Sequence, residues 1–143
     1  MKEYKYIVIG GGMTGSSGVM GIRKNDPDGK IAMFSKEPYK PYNRPPLTKG
    51  LWDGKEIKDI VRPIEKYDVD LFLETSIEKI NPEEKWVRDV NGEQYKYEKL
   101  LIATGGDPIK ISDTPKGVIF YRTREDFHTL KEKTENKESF CII

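Results

Sequence analysis

The chain has 143 residues, enough for one domain with a real core, and 36% apolar against 34% charged residues makes that core modest beneath a highly charged surface. A net charge of +1 gives no electrostatic case for nucleic acid or an anionic membrane, and no apolar run approaches the length of a membrane span. Cys141 is the single cysteine, which excludes a disulfide framework and a thiolate metal site, and the single histidine, His128, lies in a polar helical segment and reads as part of a solvated face.

Tyr6 to Ile9 is a short β-branched and aromatic run and reads as a buried strand, entered directly and without the pattern of a signal peptide. Gly10, Gly12 and Gly15 follow at once, in the order G-x-G-x-x-G. One glycine allows a tight turn, one lets the backbone approach a pyrophosphate, and one lets the next helix lie close to the strand. The helix start then points unpaired N–H groups at the phosphates. An ordinary Gly-rich turn has the same composition; the position directly after a strand favours a dinucleotide site.

The first helix is predicted from Met13 to Arg23, ending near Asn25, and Gly18 and Gly21 on it imply tight packing on a sheet. Asp26-Pro27-Asp28-Gly29 is a turn signal, and Ile31 to Phe34 is the second strand. The spacing rule for such strand–helix–strand units places a ribose-binding acid about 20 residues past the last glycine, and Glu37 lies 22 residues after Gly15. A solvated surface glutamate explains Glu37 equally well. Pro38 to Lys49 is proline-rich, so it is predicted to be extended and stiff, presenting Arg44 and Lys49 as cations. On composition alone it is a surface loop with two solvated cations.

A helical turn over Pro63 to Tyr67 and a short strand over Val69 to Leu73 come next. Ile77 to Ile80, Trp86 to Val90 and Gln94 to Tyr97 read as a three-stranded antiparallel meander, with Asn91-Gly92 as a hairpin turn. Leu100 to Ala103 is predicted as a separate buried strand returning to the parallel sheet, with a sharp turn at Thr104-Gly105-Gly106. Val118 to Tyr121 reads as a short strand. Thr123 caps a helix to about Lys133, with Asp126 three residues on. Glu132 to Glu138 reads as a solvated turn, and Ser139 to Ile143 as the start of an apolar strand holding a buried Cys141. The architecture is an α/β layer fold: a Rossmann-like parallel sheet with helices and an antiparallel three-stranded meander.

Three stretches, the glycine run, Pro41-Tyr42-Asn43-Arg44-Pro45-Pro46-Leu47-Thr48-Lys49 and Tyr97 to Gly106, resemble the FAD-dependent pyridine nucleotide-disulfide oxidoreductases. The resemblance is to the branch of apoptosis-inducing factor and the ferredoxin and rubredoxin reductases, and it covers essentially the whole chain. It implies that Gly10, Gly11, Gly12, Met13 and Thr14 cradle the pyrophosphate of FAD, with Gly15 completing the fingerprint. Lys36 and Glu37 occupy the ribose position; the family commonly has an acid first, so the hydroxyl contact falls to Glu37. Arg44 lies by the phosphates, Lys49 near the flavin ring where it tunes its electronics, and Ile77 meets adenine through its backbone. The Ala103-Thr104-Gly105 turn packs on the flavin nucleotide, and Arg122 completes the phosphate side.

The resemblance also implies that residues 1–138 are the N-terminal segment of a FAD-binding domain and that 139–143 begin the first strand of an NAD(P)H-binding domain absent from this chain. A fragment of a longer protein is favoured over a natural truncation, and weak or no FAD binding by the fragment is expected. Thiol-dependent relatives carry a reactive cysteine in the helix after the second strand, here Leu47 to Trp52, which has none. The implied function is passage of electrons from NAD(P)H through FAD to an external acceptor, a redoxin, quinone or dioxygen, in a reducing cytoplasm. A non-catalytic truncated nucleotide-binding module, or a protein with structural FAD, is the alternative. A second glycine-rich fingerprint downstream of Ile143 would favour the enzyme.

Overall fold

The computed structural model describes residues 1–136 and 139–142. The chain divides into two units: Met1–Asn43 with Val61–Gly105, and Arg44–Ile60 with Gly106–Ile143. The first unit holds strand β1 (Lys2–Ile9), helix α1 (Met13–Asn25), and strands β2 (Ile31–Phe34), β3 (Val69–Phe72), β4 (Ile77–Asn81), β5 (Trp86–Asp89) and β6 (Gln94–Ile102). They form one six-stranded sheet in the order β3-β2-β1-β6-β5-β4. The β3-β2-β1-β6 pairs are parallel, and β6-β5 and β5-β4 are antiparallel.

Strand β2 is buried along its whole length because both faces of the sheet are covered there, as its unbroken apolar run requires. Its alternate residues supply two cores. Ile31 and Met33 join Val8 of β1, Val19 of α1 and Ile64 on one face. Ala32 and Phe34 join Tyr4, Ile7, Ile9, Val87, Tyr95 and Tyr97 on the other, with Phe72, Ile77 and Ile80 packed against them. Phe34 stacks on Phe72 at 4.7 Å between ring centroids and meets Tyr95 edge-on at 4.8 Å. Helix α1 lies tightly on the sheet at Gly18, where a Cβ would come within 2.3 Å of the Leu101 side chain; Gly21 faces open space and adds nothing to that packing.

The meander is present, but its last strand is not separate from the parallel one. Strand β6 runs unbroken from Gln94 to Ile102, pairing with β5 at one end and with β1 along almost its whole length. Pairing with β1 carries the exposed Glu98 and Lys99 through the ladder despite their polarity. Asp89 organises the β5–β6 hairpin. It is 2% exposed, accepts from the N–H groups of Asn91 and Glu93 at 2.9 and 3.0 Å, and accepts from the Tyr95 hydroxyl at 3.0 Å. Burial, followed by the hydrogen bond to Asp89, pushes the Tyr95 hydroxyl up to about 12.

Arg23 closes the far end of α1. Its guanidinium donates to the carbonyl oxygens of Tyr67, Asp26, Pro27, Gly29 and Asp68 at 2.6 to 3.2 Å. The planar fork suits this use. Asp26, in the turn after α1, forms an ion pair with Lys5 at 2.6 Å and accepts from the Tyr6 hydroxyl and the Gly29 N–H, each at 2.9 Å.

The second unit holds α2 (Arg124–Glu135) and two short 3-10 turns, Pro45–Thr48 and Ile57–Ile60. Pro45–Thr48 is wound rather than extended, because a proline at the first position presets the helical φ and forfeits only an N–H that needs no partner there. The Leu47 carbonyl accepts from the Trp52 indole at 2.9 Å and the Tyr121 hydroxyl at 2.6 Å, and Trp52 meets Phe127 edge-on. Helix α2 begins with the expected capping box of Thr123 and Asp126 and continues through Glu135, so Glu132 to Glu135 is helix rather than turn. Val118 to Tyr121 is not a strand; no strand among the described residues pairs with it, and the Val118 N–H closes a turn on Pro115. Ser139 to Ile142 is not a strand either, so Cys141 is exposed rather than buried, for want of a pairing neighbour among the described residues. Lys137, Glu138 and Ile143 lie outside the described residues.

The Lys5 ammonium and then the Tyr6 hydroxyl hold the Asp26 carboxyl at about 2, below its ordinary value. A carboxyl depressed on folding stabilises above its unfolded pKa, near 4, and that contribution is lost as pH falls through the folded value. Asp26→Asn is therefore expected to lower the urea midpoint relative to the parent at pH 6, with the gap closing between about pH 4 and pH 2; a gap that does not change with pH contradicts this role. Asp89→Ala, which strands two hairpin N–H groups and the buried Tyr95 hydroxyl, is expected to cost about 2 kcal/mol in the same measurement.

Candidate nucleotide site

Three strand ends lie level at one rim of the first unit. Ile9, the last residue of β1, pairs with Phe34 at the end of β2 on one side and with Ile102 at the end of β6 on the other. The chain then bends at Gly10, whose N–H donates to the Phe34 carbonyl at 2.8 Å, while the Ala103 N–H donates to the Ile9 carbonyl at 2.7 Å. Gly10 has a φ of +121°, and a Cβ there would sit 2.1 Å from the Ala103 carbonyl oxygen. Only glycine satisfies both conditions. Gly105 bends with a φ of +68° two residues beyond that oxygen. The two backbone bends expected from the sequence therefore meet on one edge of the sheet, at the carboxyl ends of parallel strands, where open α/β sheets bind ligands.

The glycines of the run differ in what surrounds them. A Cβ on Gly15 would fall 1.9 Å from the Gly10 carbonyl oxygen, and one on Gly11 would fall 2.3 Å from the Ser35 Oγ. Gly12 faces open space, with nothing within 4 Å of such a Cβ. Gly12 is also the N-cap of α1, which has no side-chain cap and no acidic residue in its first turn. The start of α1, at Met13, Thr14 and Gly15, thus carries the positive end of the helix dipole with no acidic residue in its own first turn. An anion approaching Gly12 would meet N–H groups rather than a side chain.

The segment after β2 borders this rim. Ser35 is buried at 4% exposure, and its Oγ accepts from the Glu37 N–H at 3.2 Å. Thr75 donates its N–H to the Ser35 carbonyl at 2.8 Å, and Glu74 donates to the Glu37 carbonyl at 3.3 Å. These bonds tie Glu74 and Thr75, just ahead of β4 and its first residue Ile77, to Ser35 and Glu37. The Glu37 carboxylate accepts from the Tyr42 hydroxyl at 2.6 Å, and Tyr42 is buried at 4% exposure. Lys36 is exposed.

The structure thus gathers Gly10 to Gly15, Lys36, Glu37, Ile77 and Ala103 to Gly105 within the first unit. Arg44, Lys49 and Arg122 belong to the second. There Arg44 donates from Nη1 to the Arg122 carbonyl at 3.0 Å, and the Arg122 N–H donates to Asp126 at 2.9 Å, so both arginines are tied to the start of α2. Lys49 follows the Pro45–Thr48 turn and is exposed. Sequence reasoning passed over Ser35 and Tyr42. A serine at the end of an apolar strand is a weak signal, and a loop tyrosine carries none until its hydroxyl is seen on Glu37.

The model of the family described as pyridine nucleotide-disulphide oxidoreductase matches residues 4–143. Apoptosis-inducing factor 1, mitochondrial, of Dictyostelium discoideum is 33% identical over an alignment covering 92% of this chain and 29% of that protein. Rubredoxin-NAD(+) reductase of Pseudomonas putida is 28% identical, over 96% of this chain and 38% of its own length. The crystal structure of NADH:rubredoxin oxidoreductase from Clostridium acetobutylicum matches with a TM-score of 0.79 at 29% identity, over 95% of this chain and 37% of that one. The chain therefore spans about a third of the length of these proteins.

The packing separates the glycines experimentally. Gly10→Ala and Gly15→Ala are each expected to lower the stability to urea by about 3 kcal/mol or more, through backbone strain and overlap. Gly12→Ala is expected to stay within about 1 kcal/mol of the parent, the size of an N-cap change.

Proposed function

The chain belongs to the pyridine nucleotide-disulphide oxidoreductase family, and on that premise we propose that it is the FAD-binding part of an NAD(P)H-dependent flavoprotein oxidoreductase. The observation that carries this reading is the joint bend of Gly10 against Ala103, with the open Gly12 and the uncapped start of α1 beside it. The residues present fit an adenine-bearing flavin nucleotide. Gly10 to Thr14 would hold the pyrophosphate through backbone N–H groups. Glu37 would accept from the ribose, with Lys36 beside it. The backbone at Ile77 would meet the adenine, and the Ala103 to Gly105 bend would support the flavin side. Arg44 and Arg122 are proposed as phosphate-side cations, and Lys49 as the cation that tunes the ring.

When bound, the flavin supplies the hydride and electron chemistry, and the protein supplies binding, orientation and electrostatics. The stretch Leu47 to Trp52 contains no cysteine, so no thiol of that segment takes part. The proposed acceptor is external, and the relatives' names favour a small redoxin over a quinone or dioxygen. Among the described residues no helix is long and apolar enough to cross a membrane, and a cytoplasmic setting is part of the proposal.

The test is a titration of the chain with FAD, followed by backbone amide NMR. Shifts are expected at Gly10 to Gly15, Ser35 to Glu37 and Ala103 to Gly105, with a Kd above about 1 μM. Gly12→Ala is expected to weaken binding about tenfold or more without unfolding the chain. Millimolar FAD that leaves Gly10 to Gly15 unshifted would refute the reading.

A further inference from the structure

We propose that Tyr42 is a positioning residue for the adenosine ribose: its buried hydroxyl locks the Glu37 carboxylate in the orientation that receives the ribose diol. The inference rests on the reading of Glu37 given above and extends it to a residue outside the glycine fingerprint.

The ring of Tyr42 is buried at 4% exposure, and its hydroxyl donates to Glu37 Oε2 at 2.6 Å, a short bond of the kind made to an ionised acceptor. A carboxylate has about four acceptor positions, and a diol needs two of them. Glu37 is held at two further points. Its N–H donates to the Ser35 Oγ, and its carbonyl accepts from Glu74. Backbone and side chain are thus fixed by different partners, and the Tyr42 hydroxyl acts on the carboxylate itself. Tyr42 is in turn anchored by an antiparallel bridge to Val61, flanked by the bond from the Arg62 N–H to the Pro41 carbonyl at 2.8 Å. A glutamate has three rotatable bonds, and holding it in one rotamer before the ligand arrives removes an ordering cost from binding. Prolines on either side, Pro41 and Pro45, stiffen the segment that carries the tyrosine.

A positioning role predicts a change in what the ribose contributes to binding, not a uniform loss of affinity. The experiment compares ADP with 2′,3′-dideoxy-ADP by amide NMR on the parent chain, Tyr42→Phe, and Glu37→Gln, with thermal melts of each. The parent is expected to favour ADP about tenfold. Tyr42→Phe keeps the ring and is expected to melt near the parent. It should reduce the preference to less than about threefold, while the affinity for the dideoxy analogue stays within about twofold of the parent. Glu37→Gln should abolish the preference as well. If Tyr42→Phe retains the parent's preference while Glu37→Gln loses it, the positioning role is overturned and the ribose reading survives. A parent chain with no preference for ADP overturns both. If Tyr42→Phe melts far below the parent, Tyr42→His, which keeps a ring with an N–H donor, is expected to restore part of the preference; equal loss of both ligands in that variant also overturns the role.

Discussion

Everything at the candidate site depends on one close approach, the carbonyl oxygen of Ala103 occupying the place where a side chain on Gly10 would begin. Two segments more than ninety residues apart in sequence can share a rim only because β1 and β6 are parallel neighbours ending in step, Ile9 beside Ile102. A larger residue at Gly10 would push the strands apart, and with them the open backbone at Gly12. The constraint is steric and is met by omission of atoms. It adds no side chain at the bend, and Gly12 beside it faces open space, which is the property an anion site needs.

Around that contact several inner polar groups of the first unit are paired, whereas the buried Arg62 Nε finds no hydrogen-bond partner among the described residues. Asp89 holds its hairpin through two N–H groups and a phenol, Arg23 gathers five carbonyl oxygens at the end of α1, and Ser35 supports both Glu37 and the strand that follows Thr75. Each is a local solution to the cost of burying hydrogen-bonding groups. Together they leave the rim as the place where backbone donors face outward.

Much of this was legible in the chain. Ile31 to Phe34 appears with the predicted bounds because four apolar residues between turn signals, buried on both faces, have few alternatives to a central parallel strand. The capping box at Thr123 and the glycine fingerprint were legible for the same reason, being short patterns with local causes. What escaped was non-local. Glu98 and Lys99 looked like a break between two strands, yet pairing with β1 decides the matter. Pro45 and Pro46 argued for extended chain, and one turn of tight helix satisfied the same ring constraint. Val118 to Tyr121 had a strand's composition but no strand to pair with among the described residues. The site divides in the same way: the bends were visible, whereas the hydroxyl that reaches Glu37 from Tyr42 became visible only with the loop folded.

The unbroken course of β6 has a mechanical consequence. One stiff strand carries the hairpin governed by Asp89 at one end and the Ala103 bend at the other, so the two cannot shift independently. Because side chains alternate along a strand, a one-residue insertion at the Asn91-Gly92 tip that slid β6 along β1 would invert every facing from Gln94 to Ile102 and carry Ala103 off Gly10. The length of a surface turn far from the glycines thereby acts as a ruler for the nucleotide rim.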